Sequence, residues 1–259
     1  MELSRLDASI NPDGSATGMA VEIWSDIVCP WCYIGKRRFE AALARFEHAG
    51  QVGVRWRSFE LDPQAPLQNP GTMDRHQAAR SGGTIAQAAA SLAAIDRLAA
   101  AEGLKLNLAR TQKASTFAAH RLIHLGYEKD AATGAALKEA LLDACLVQLR
   151  LVSDPGVLIE AGVAAGLDRD EVASLAAGDR FAGEVRADEA EAAALGSTGV
   201  PFFVFDRTYA VSGAQDTATF LSALRRAWER SHPRIEVVTP ADTSAPAARG
   251  ACTDDSCAL

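Results

Sequence analysis

Two cysteines three residues apart, Cys29-Pro30-Trp31-Cys32, are the residues of this chain whose type and spacing point most directly to chemistry. Residues three apart on a helix share a face, so the two sulfurs can meet at the Cα separation of about 4.4 to 6.8 Å that a disulfide requires. The pair lies where a strand-like run becomes a helical one. At a helix N-terminus, unpaired backbone N–H groups and the positive end of the macrodipole favour a thiolate, lowering a cysteine pKa from about 8.5 toward 3.5 to 7.5. Cys29 is expected to gain most. Pro30 suits a first helical turn, where no N–H is needed, and the bulk of Trp31 leaves Cys29 as the reachable sulfur with Cys32 deeper. Cys29 should therefore form a mixed disulfide with a substrate, and Cys32 should resolve it. Lys36, Arg37 and Arg38 add positive charge further along, secondary to the amides because of distance and screening. Two other readings remain open: half of a zinc site completed by Cys252 and Cys257, or a pair of inert buried thiols.

Gly199-Val200-Pro201, directly before a strand-like run, is the second signal. A trans proline opening an edge strand is the ordinary case. A cis bond facing the cysteine pair would instead turn the backbone of Val200 outward, to hydrogen-bond an extended substrate segment as an added strand. Pro201 would also keep metal-ligating side chains away from the sulfurs. His120 and His124, four apart on a predicted helix, could bind metal or sit over the pair, although satisfied or exposed histidines are the simpler reading.

The elements that must position these residues follow from hydrophobic patterning. Residues 20–28 form a short β-branched and aromatic run that suits a buried strand, and residues 29–48 carry Ile34, Phe39, Leu43 and Phe46 at helical spacing with Gly50 as a stop. Val52, Val54, Trp56 and Phe59 alternate as a second strand ending at Asp62-Pro63. Gln64 to Gly83 reads as an irregular connection, and an alanine-rich, helix-patterned stretch then runs to Gly196. Within it Asp154-Pro155 and Asp168 with Glu171 mark helix starts. Cys145 sits on an apolar face as a small core residue. Pro201 to Phe205, a turn at Asp206-Arg207 and Thr208 to Val211 predict a hairpin; Phe220, Leu224, Ala227 and Trp228 predict a final amphipathic helix ended by Ser231-His232-Pro233.

The order β-α-β, helical block, β-β-α predicts an α/β fold: a split sheet domain, 19–63 and 197–232, with an inserted all-helical domain at 64–196 that includes the irregular connection. Residues 1–18 and 233–259 read as a flexible extension and tail, the latter carrying Cys252 and Cys257. That second pair could close a small disulfide and act as an auxiliary redox pair reaching the main site, or be an accidental or metal-scavenging pair.

The chain has 259 residues, 26 Lys plus Arg against 33 Asp plus Glu, and a net charge of -7, which argues against a nucleic-acid partner. No apolar run of about 18 residues suits a membrane span, and the acidic, non-apolar start reads as cytoplasmic rather than secretory. Five cysteines in such a compartment suggest catalysis or burial more than a structural disulfide framework.

Together these residues resemble the DsbA-like branch of the thioredoxin superfamily, most closely its cytoplasmic FrnE-type oxidoreductases. The resemblance is carried by residues 25–32 (Ser-Asp-Ile-Val-Cys-Pro-Trp-Cys), Phe117-Ala118-Ala119-His120-Arg121-Leu122, Gly199 to Val204 and Ser212-Gly213-Ala214-Gln215, spanning roughly residues 20–230. It implies a thioredoxin-like fold with a helical insertion, a cis bond before Pro201, and thiol-disulfide exchange at Cys29 and Cys32 with no bound organic cofactor and no metal. It also brings His120 near the substrate site. Relatives usually carry Asn-Thr where this chain has Ser115-Thr116, so a polar contact from the helical domain should differ. Substrates would be protein or low-molecular-weight thiols and disulfides, with glutathione or a thioredoxin-type protein as electron donor. Relatives of the 2-hydroxychromene-2-carboxylate isomerase and kappa-class transferase type usually replace the first cysteine by serine; both cysteines here favour redox chemistry. A thiol-based metal or redox sensor is the non-enzymatic alternative, recognised by stoichiometric zinc lost on mutating either pair.

Overall fold

A computed structural model describes residues 18–68 and 70–233. Strand β1 (Met19–Ser25) pairs in parallel with β2 (Val52–Ser58). β3 (Phe202–Phe205) returns antiparallel to β1, and β4 (Tyr209–Ser212) extends the sheet to the order β2-β1-β3-β4. The hairpin turn at Asp206 and Arg207 has positive φ at both residues, 47° and 53°, the handedness that suits a two-residue hairpin.

Because side chains alternate across a strand, β1 feeds two cores. Val21 and Ile23 face helix α1 (Pro30–Leu43) and helix α9 (Thr217–Ser231), where Phe39, Phe203, Phe205, Phe220 and Leu224 close the layer. Trp24 faces the other way, onto Phe202, Val204 and Ala192. Ala192 belongs to α8 (Ala182–Ala194), the last helix of the block predicted as an insertion, so that helix serves as the second cover of the sheet. Asp188 of α8 pins it there. Its carboxylate accepts from Ser58 N at 2.8 Å and pairs with Arg57 at 3.0 Å, while its backbone carbonyl accepts from Trp24 Nε1 at 2.7 Å.

The remaining helices, α2 (Met73–Ser81), α3 (Ile85–Ala101), α4 (Phe117–Lys129), α5 (Ala131–Leu146), α6 (Pro155–Ala164) and α7 (Arg169–Ala177), stack around a leucine-rich core that also takes in Ile27, Val28, Tyr33 and Ile34. Asp154 and Asp168 cap α6 and α7 as their spacing predicts. Three expectations change, the first being that β2 ends at Ser58, before Phe59 and Asp62-Pro63. The segment read as irregular contains α2, a polar helix with only Ala78 buried, so it lacks the apolar period that reveals a helix; it ends on Gly82 in a left-handed conformation. Helix α1 stops at Leu43, short of His48.

Candidate active site

Cys29 occupies the cap position of α1 with Pro30 as its first helical residue, and Cys32 lies one turn in on the same side. Both are reduced and buried, Cys29 3% exposed and Cys32 fully enclosed, so the difference in access exists but is narrow. Trp31 between them is 37% exposed. The Val200–Pro201 peptide bond is cis, and the Cys29 thiol points at the Val200 carbonyl, Sγ to O 3.8 Å. Gly35, which the motif reading did not single out, permits this approach: a Cβ there would stand 3.1 Å from Pro201 Cγ.

The electrostatics correct one expectation. The lowered thiol is Cys32, not Cys29. Cys29 is raised well above the ordinary thiol value, first because its S–H donates to the Cys32 sulfur and then because it is buried; the Cys32 backbone N–H at the helix start acts in the predicted direction but is outweighed. At Cys32 burial opposes the charge, yet the Cys29 thiol and the Lys138 ammonium outweigh it and hold the pKa below the ordinary value. The two thiols titrate as one coupled pair, whose first proton is lost more easily than the second. The helix end alone does not decide the order, because the Cys29 side chain makes no capping hydrogen bond.

Three side chains that patterning did not single out complete the site. Asp26 is 1% exposed, its two oxygens accepting from Ile27 N and Leu61 N at 2.7 Å each. Burial pushes its carboxyl up, but His120, the Leu61 amide and the Thr116 hydroxyl bring it below the usual carboxylate range. Thr116 is thus one of the polar contacts that the helical block supplies, beside His120. Lys138 of α5 is fully buried and donates to Ser25 O at 3.0 Å. A charged residue next to Leu137 and within a turn of Leu141 was the available signal for it, as was Asp26 inside an apolar run.

His120 requires a correction. It is 1% exposed and faces Asp26, Nε2 to Oδ1 3.4 Å, rather than a substrate surface. Burial lowers its pKa below the ordinary histidine value, so the ring is neutral at pH 7 and its Nε2–H donates to the carboxylate, which can only accept. His124 lies elsewhere, between Ser58 Oγ at 3.1 Å and Asp188 at 3.2 Å. Cys145 is enclosed, and burial pushes its thiol up to about 12, which suits a core residue. Cys252 and Cys257 lie outside the described residues.

The basic run after the cysteines binds the two halves together. Lys36 and Arg37 both meet Glu139 of α5, Lys36 at 2.5 Å, and Tyr33 Oη donates to the same carboxylate at 2.6 Å. Burial works against the Glu139 charge, but these donors lower its pKa to about 2. Because the folded pKa is depressed, this stability is present above about pH 4.5 and lost as pH falls toward 2. With the side chain one-third exposed, about 1–2 kcal/mol is expected after screening. Melting of the parent protein and Glu139→Gln should differ by this amount at pH 6 and converge near pH 2; a constant gap would refute the assignment.

Comparison with known proteins agrees with this geometry. A family model described as DSBA-like thioredoxin domain matches residues 20–225. Among solved structures, a probable DsbA oxidoreductase from Streptomyces coelicolor is 45% identical, with 86% of this chain and 94% of that one covered and a TM-score of 0.78. The cytosolic disulfide reductase DsbM from Pseudomonas aeruginosa shares the fold at 20% identity, covering 82% and 96% of the two chains with a TM-score of 0.54. A 2-hydroxychromene-2-carboxylate isomerase shares it at 15% identity, with 82% and 97% covered and a TM-score of 0.59. No curated protein matches the sequence. The chain belongs to the DsbA-like thioredoxin-domain family.

Proposed function

We propose that the protein is a thiol-disulfide oxidoreductase in which Cys29 exchanges with substrate and Cys32 resolves the mixed disulfide. The supporting observation is the placement of a jointly titrating dithiol at the start of α1, with the Cys29 thiol against Val200 O, 3.8 Å away. In the reducing direction Cys32 accepts the Cys29 proton and the Cys29 thiolate attacks a substrate disulfide, forming a Cys29–substrate disulfide and releasing one substrate thiolate. Cys32 then gives up that proton to solvent and attacks Cys29 Sγ, closing Cys29–Cys32 and releasing the second thiolate. Two electrons pass from the dithiol to the substrate, both released thiolates taking protons from water. An external thiol restores the dithiol.

Val200 and Pro201 supply the backbone edge against which an extended substrate docks, with Pro30 and Trp31 shaping the approach to Cys29. Substrates are protein thiols and disulfides, and the reductant is glutathione or a thioredoxin-type protein; a DsbM structure with GSH is among the structural relatives. The protein acts in the cytoplasm, as a FrnE-type enzyme would, where the ambient poise favours reduction or shuffling over net oxidation. Cys252 and Cys257 form an auxiliary pair that relays electrons to the main site.

Cys32→Ser should accumulate mixed disulfides linked through Cys29, read as a reductant-sensitive mass increase on incubation with a disulfide peptide. Absence of such adducts counts against the mechanism. Isomerase activity surviving in this variant with glutathione supplied would favour the isomerase reading instead.

A further inference from the structure

Lys138 is one of five lysines in the chain and lies fully enclosed in the interior. An ammonium carries three donors, and among the described residues Nζ has one hydrogen-bond acceptor, Ser25 O at 3.0 Å, with the Trp56 ring centroid 5.7 Å away. A buried charge needs a counter-charge. Three elements bring charged or titratable groups toward it: Cys29, Cys32 and Lys36 from α1, Asp26 from the turn after β1, and His120 from α4. Lys36 has the same sign and is engaged by Glu139 and Glu40. His120 is neutral at pH 7. Asp26, its oxygens held by two backbone N–H groups and His120, supplies one counter-charge. The other is negative charge on the cysteine pair.

We infer that Lys138, contributed by the helical block and not by the sheet, is a positioning residue that holds the negative charge of the reduced Cys29–Cys32 pair and so makes its disulfide form the stronger oxidant. This rests on the exchange reaction proposed above. The neighbouring Glu139 gives the placement its rigidity: it ties α5 to α1 through Tyr33, Lys36 and Arg37, while the preceding side chain turns inward. Closing the pair converts one thiol and one thiolate into a disulfide, releasing one proton to solvent and two electrons to a substrate disulfide, which takes two protons from water to become two thiols. Lys138 loses one of its two counter-charges in that step while Asp26 keeps its own, so it stabilises the reduced form more than the oxidised one. The lowering of its own pKa to about 8, caused first by burial and opposed by Cys32, Asp26 and Cys29, agrees with an ammonium dependent on this partner.

The test is equilibration of the full chain with reduced and oxidised glutathione. Lys138→Met should shift the equilibrium about tenfold toward the disulfide form, about 30 mV more negative, and move the thiolate absorbance titration to higher pH. An active parent protein with an unchanged equilibrium and titration in Lys138→Met overturns the inference and leaves the exchange mechanism intact; a parent protein that exchanges no disulfides overturns the mechanism itself. If Lys138→Met does not fold, ¹⁵N-lysine NMR of the unmutated protein decides, with five side-chain signals to distinguish. Coupling between the two groups is reciprocal, so the Lys138 ammonium should lose its proton at higher pH in the reduced protein than in the oxidised one. Identical titration in both redox forms refutes the proposal.

Discussion

Cys29→Ser lowers disulfide exchange by about a thousandfold or more, to the background of the uncatalysed reaction. A serine hydroxyl of similar size leaves the packing at this enclosed position nearly unchanged but can form no disulfide, so the variant should fold and yet trap nothing. The contrast with Cys32→Ser is the informative part. That variant keeps the attacking sulfur and lacks the resolving one, so it stalls after the first half of the reaction. The coupling between the two sulfurs adds a second signature: in Cys32→Ser the hydroxyl can still accept a hydrogen bond but does not titrate, so the pH dependence of adduct formation should follow a single thiol. The measurement is the initial rate on a fluorogenic disulfide peptide. Retention of more than about a tenth of the parent rate in Cys29→Ser would mean that another cysteine, most simply Cys252 or Cys257, carries the chemistry.

Phe39→Ala destabilises the fold by about 3–5 kcal/mol. The ring is 1% exposed and is the point where α1, the sheet and α9 meet, with centroids 5.6 Å from Phe203, 6.3 Å from Phe205 and 5.9 Å from Phe220. Truncation leaves a void among three rings anchored on β3 and α9, which limits how far the site can collapse. For a chain of this size the loss corresponds to a melting shift of roughly 6 to 20 °C. The active site should register it as well, because α1 carries both cysteines and Phe39 anchors that helix two turns beyond Cys32. A calorimetric loss below about 1 kcal/mol would show that the three-ring junction is not the anchor of α1.

Much of this arrangement was legible in the chain itself. Alternating Val21 and Ile23 against Trp24, the period of Phe220, Leu224 and Ala227, and the Asp154 and Asp168 caps are local signals, and each element they specify formed. The C-x-x-C spacing at a strand-to-helix junction likewise determined which sulfurs meet, since three residues of helix place them on one side wherever the helix packs. A polar helix such as α2 escaped because it has almost no apolar face to declare it.

Tertiary structure alone decided the charge environment of the two sulfurs. That environment depends on Lys138, more than a hundred residues away from the pair, and on Asp26, whose charge is set by donors from Leu61, Thr116 and His120. Local sequence reports the helix end, which favours Cys29; it cannot report the long-range partners, and inside a water-poor interior those contacts outweigh a partial dipole charge. The role of α8 as a cover for the sheet was decided in the same way, by an aspartate that satisfies Trp24, Arg57 and Ser58 at once.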